Sequence, residues 1–82
     1  MPEVTYYVAL PFIASDDGIA AGEAVECFSP DAAVMRAEVL SRREGHLGAV
    51  AFSRSGNPAT GDFNDATIIR IFGNVPEDLS AL

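Results

Sequence analysis

The sequence predicts an α+β fold: a single ββαββ domain with a four-stranded antiparallel sheet in the order 2-1-3-4 and one α-helix packed on one face. Three observations predict it. Four stretches, 4–13, 19–28, 47–54 and 66–72, read as strands, the first and last being dense in β-branched and aromatic residues. One stretch, Ser29–Gly45, has helical spacing with both ends marked. The segments between strands are turn chemistry, Asp17-Gly18 in the first hairpin and Gly56, Asn57-Pro58 and Gly61 in the second.

Taken in order, the first strand is VTYYVALPFI and the second IAAGEAVECF. An Asp17-Gly18 hairpin sets Asp16 opposite Ile19, which carries Leu10 opposite Val25 and Val8 opposite Cys27. One face then collects Tyr6, Val8, Leu10, Phe12, Val25 and Cys27, and this cleaner face is expected beneath the helix. The other collects Tyr7, Ala9, Ile13 and Phe28, with Glu26 among them. Pro11 lacks the N–H that a central strand needs, so it is expected beyond the end of the third strand or at a bulge.

The helix has Ser29 as its N-cap and Pro30 at its first position, with Asp31 at the positive end of the dipole. Arg42 and Arg43 suit its last turn, and Gly45 suits a left-handed stop. Ala33, Ala37 and Leu40 make one stripe with Val34 beside it, while Met35 and Val39 make a second, weaker one. Glu38 and Arg42 are spaced as an ion pair. The strands on either side of this helix run parallel to each other, and placing the first strand between them makes every neighbour antiparallel. Residues 1–75 form the domain; 76–82 are a tail, with a short turn at 76–79 and a frayed end.

Composition narrows the function. The chain is 49% hydrophobic and 21% charged, which suits a folded core. Its net charge is −7, and its five basic residues are all Arg and scattered, so no nucleic-acid or anionic-membrane partner is expected. Cys27 is the single cysteine, which points to a cytoplasmic location rather than to a disulfide-stapled secreted domain. The start MPEVTYY has no basic region of a signal peptide, and no apolar run reaches the ~20 residues that span a bilayer.

Catalytic chemistry is sparse. Cys27 and His46 are the residue types of a nucleophile and base, but Cys27 reads as a small buried hydrophobe and His46 as a solvated group after the helix. Asp62, Asn64 and Asp65 resemble part of a calcium loop, yet the spacing is wrong and turn formation explains them. No zinc ligand set and no glycine-rich nucleotide motif is present. The expectation is therefore a domain that is no enzyme and uses no catalytic, cofactor-binding or metal-binding residue.

One helix covers one face of a sheet, and here the other face is apolar as well. Tyr7, Ile13, Phe28, Ile69 and Ile71 are the expected interface residues. Three readings compete for that face: cover by the tail or by the 57–65 loop, a homodimer joined by sheet faces or by the last strand's edge, or a pocket for an apolar small molecule. The favoured expectation is a small binding domain that forms a homodimer, with another protein as a possible partner. The alternative is a small-molecule binding or sensing module.

Overall fold

The computed structural model describes residues 3–76 and 79. Its frame is two twelve-residue strands, β1 (Val4–Ser15) and β4 (His46–Asn57). At about 3.3 Å per residue each runs about 40 Å, which matches the 41 Å long dimension of the molecule. They pair antiparallel from Val4 opposite Gly56 to Ile13 opposite His46, with a bulge between Phe12 and Ile13. On the far edge of β1 lie β2 (Gly18–Ala21) and β3 (Val25–Cys27). On the far edge of β4 lie β5 (Asp62–Phe63) and β6 (Thr67–Gly73). The expected α+β sheet with one helix is therefore present and wholly antiparallel, and its detail differs because each outer strand is broken into two segments.

The break in the second strand changes the register. The loop is Asp16-Asp17, and Gly18 carries the positive φ (+123°). Both aspartates keep negative φ, so the turn is not the mirror-image type an Asp-Gly pair would make, and Ser15 rather than Asp16 closes it, opposite Gly18. Further along, Leu10 and Pro11 of β1 face three residues, Gly22, Glu23 and Ala24. That extra residue is a bulge, and a one-residue slip exchanges the faces. Val25 now lies opposite Ala9 and Cys27 opposite Tyr7. The helix covers this Tyr7 and Ala9 side, so the expected face beneath it, Tyr6, Val8, Leu10 and Phe12, is the opposite one.

The same bulge accommodates Pro11. It is not beyond the ladder but inside it, buried and opposite Ala49. Its carbonyl accepts the Gly22 N–H at 2.8 Å. In an antiparallel strand the N and C=O of one residue point to the same edge, so the missing donor of Pro11 faces the bulge and β4 loses nothing.

The helix α1 (Pro30–Ser41) starts as its sequence dictates: Ser29 Oγ accepts from the Ala32 N–H at 3.1 Å, and Pro30 opens the first turn. It ends earlier than expected. Arg42 is the C-cap, so Arg42 and Arg43 follow the last turn, and Gly45 takes its positive φ (+89°) in the loop beyond. Ala33, Ala37 and Leu40 are buried against Ala9, Ala49 and Ala51. Alanines on both sides let helix and sheet approach closely. The expected Glu38–Arg42 ion pair forms at 2.8 Å on an exposed surface.

The face away from the helix is partly covered, with Val4, Phe63, Ile68 and Ile71 left exposed on it. Leu10, Phe12, Val50 and Phe52 are buried there as a second core. Ile19 packs on it from β2, and Ala66, Val75 and Leu79 pack on it from around β6. The chain's own segments, Leu79 of the tail included, thus cover part of this face, and the face expected to be open, that of Tyr7 and Ala9, lies under the helix. The turn expected at 76–79 and the frayed end fall largely outside the described residues.

Candidate functional site

The residues with chemical potential are held apart. Cys27 packs at the margin of the helix-side core, and its thiol donates to the Val25 carbonyl at 3.7 Å. His46 Nδ1 lies 2.6 Å from the Leu40 carbonyl. A carbonyl only accepts, so Nδ1 carries the hydrogen. Each group is thus tied to its own backbone partner rather than to the other. His46 also lines a cleft of about 300 Å³ at the helix end, with Pro11, Glu23, Val25, Leu40 and Arg43. Asp62, Asn64 and Asp65 are exposed, and Asn57 organises the loop before them by accepting the Ala59 N–H at Oδ1 (2.9 Å). Among the described residues no three His, Cys, Asp or Glu side chains gather as metal ligands.

The five expected interface residues do not share one surface. Tyr7 and Ile69 pack around the helix-side core. Ile13 is half-buried opposite Ala20. Ile71 is exposed on β6, opposite Val50 on the side away from the helix. Phe28 stands apart from all four, fully exposed (101%) in front of the helix cap.

Another apolar surface lies on the outer face of α1. The helix repeats near 3.6 residues per turn, so positions spaced three and then four residues apart lie on one face. Those positions are Ala32, Met35 and Val39. Met35 is 69% exposed and Val39 51%. Ala32, Met35 and Val39 line a shallow groove along the outer face of α1, with Arg36 on its rim. A hydrophobic residue before an N-cap commonly packs against the fourth helical residue as a staple. Here that residue is Ala33, which is wholly buried against the sheet, and Phe28 does not reach it. A large side chain left in water forgoes about 1.5–3 kcal/mol of burial.

The flanks of the stripe carry opposite charge. Asp31 and Glu38 lie on one side of it at a seven-residue spacing, and Arg36 and Arg43 on the other at the same spacing. All but Glu38 are fully on the surface, and Glu38 is half-exposed. Arg43 is one residue beyond the C-cap, with its N–H bonded to the Leu40 carbonyl at 3.2 Å. Sequence reading found Met35 and Val39 as a secondary stripe but assigned Phe28 to a strand. In the structure β3 ends at Cys27, and Phe28 stands between it and the extended Ser29 cap. The chain matches no family model, no curated protein and no solved structure.

Proposed function

We propose that this chain is a non-catalytic association domain, working in the cytoplasm, that pairs with a second copy of itself through the outer face of α1. The observation that carries this reading is the exposure of Met35 and Val39 along one face of α1, where they line a shallow groove with Ala32. Single exposed hydrophobic residues are ordinary, whereas a contiguous apolar stripe marks a contact surface. Each sheet face carries a core packed against the chain's own segments, with Val4, Phe63, Ile68 and Ile71 left exposed on the side away from the helix. The outer edge of β6 is blunted by its bulge at Ile69 and by Arg70, devices that discourage strand pairing.

A twelve-residue helix is about 18 Å long, so the contact falls below the usual ~800 Å² per partner. The dimer is therefore weak and reversible. A lone half-buried thiol, Cys27, suits a reducing compartment. Among the described residues no helix is long and apolar enough to cross a membrane.

A dilution series followed by amide NMR tests the reading. Concentration-dependent shifts confined to residues 28–43 are expected. Shifts confined to β6 would move the contact to the sheet edge, and spectra that do not change up to millimolar concentration would end it.

A further inference from the structure

We propose that the uncovered part of the second sheet face binds an aliphatic carboxylate, its head group accepting from the Arg54 guanidinium and its chain lying on Ile68 and Ile71. The site is on the sheet and does not depend on the α1 contact. Arg54 stands on β4 opposite Tyr6, on the side away from the helix. It is half-buried, and its Nε is enclosed with no hydrogen-bond partner. An arginine Nε always carries a hydrogen, and the guanidinium stays charged. A buried donor without an acceptor is rare in a folded chain and costly to leave so. Among the described residues the ion pair is Glu38–Arg42 on the helix, and Arg54 enters none.

The surroundings of Arg54 are apolar. Phe63 lies opposite Gly56, where the lack of a β-carbon lets its ring rest on the strand and reach Tyr6, 5.9 Å away between ring centroids. Val4 lies opposite Gly56 from the other side. In the other direction Ile68 lies opposite Phe52, and Ile71 opposite Val50. Val4, Phe63, Ile68 and Ile71 are all exposed, so Arg54 is a cation set in an apolar surface. From Arg54 to Val50 is four strand steps, about 13 Å, the length of an extended chain of about ten carbons. Small-molecule sites share this plan of apolar contact with a few polar groups that fix orientation. A carboxylate supplies what the guanidinium lacks, because it only accepts and can take two N–H groups at once. Asp62 and Asp65, in the adjoining segment, are exposed, where water and salt screen them from the head group.

Titration of the full chain with octanoate, followed by amide NMR, tests the site. Saturable shifts are expected at residues 4–6, 52–56 and 63–71. Octan-1-ol has a chain of the same length without the charge and is expected to bind about tenfold more weakly. Arg54→Met keeps an apolar stem and removes the guanidinium, so it is expected to lose the preference for the acid while binding the alcohol as the parent does. Ile71→Asp, at an exposed position, gives a second reading that leaves Arg54 in place: octanoate is expected to bind about tenfold more weakly, with the unfolding midpoint unchanged. Equal affinity of the parent chain for acid and alcohol, shifts centred on the α1 groove instead, or no saturable shift at millimolar octanoate would overturn the proposal. None of these outcomes depends on whether the chain pairs with a second copy.

Discussion

Replacing Gly48 by alanine is expected to destabilise the domain by about 3 kcal/mol or more, the upper end of overpacking costs. Gly48 is buried within β4, opposite Phe12 on one side and Gly73 on the other. A β-carbon there would lie 2.4 Å from the Asn74 carbonyl oxygen, 2.5 Å from that of Phe72 and 2.6 Å from the Asn74 nitrogen. All three are backbone atoms, so no side chain can swing aside. Room comes only from peeling the end of β6 off β4, which breaks the Asn74 N–H bond to Leu47 O (3.0 Å) and draws Val75 off the second core. An 82-residue domain has about 4–12 kcal/mol in total, so the loss is a large share of it. Urea unfolding checks this, with Gly45→Ala as the comparison. Gly45 has open space around its β-carbon and only a positive φ to resist substitution, which costs about 1–2 kcal/mol. Equal midpoints for the two variants would contradict the packing.

The second large effect is expected at Leu40, where alanine should cost about 3 kcal/mol. The buried cluster under the helix is Ala9, Ala33, Ala37, Leu40, Ala49 and Ala51. Leu40 is the one fully buried member larger than alanine, so its removal leaves a cavity that the larger, partly buried residues at the margin (Tyr7, Val25, Ile69 and Phe72) fill only by shifting. Val39→Ala, one residue away on the outer face, should change the unfolding midpoint of dilute protein by less than about 0.5 kcal/mol. The contrast separates the residue that holds the helix to the sheet from the residue offered to a partner. A Leu40→Ala protein as stable as Val39→Ala would mean that the helix is anchored elsewhere.

Much of this architecture is legible in the chain because its signals are local. Ser29 and Pro30 mark the helix start, and the Ala33, Ala37 and Leu40 stripe names its buried face. The antiparallel order follows from two hairpins and one crossover. The identity of the covered face is harder to read, because it depends on a single residue. The Gly22–Ala24 bulge has no distinctive turn pair, yet it exchanges the faces of Val25 and Cys27. Pro11 was the available clue: a proline in a central strand needs an interruption on the edge its nitrogen faces. The partial covering of the second face is non-local as well. Val75 and Leu79 are ordinary apolar residues in a tail, and their packing on Leu10, Phe12, Val50 and Phe52 depends on how the sheet curls. Of the expected interface residues, Phe28 is the most exposed, and it stands before the helix cap rather than on the helix face.

Sedimentation equilibrium of the full chain, beside Met35→Glu, tests the central claim most directly. Met35 is largely exposed and glutamate is a good helix former, so the variant should fold. The mass of the unaltered chain should rise with concentration from 8.6 kDa towards twice that value, while Met35→Glu should stay at 8.6 kDa. A chain that remains at the monomer mass up to millimolar concentration, or a variant that associates as strongly as the parent, would contradict an association surface on the outer face of α1.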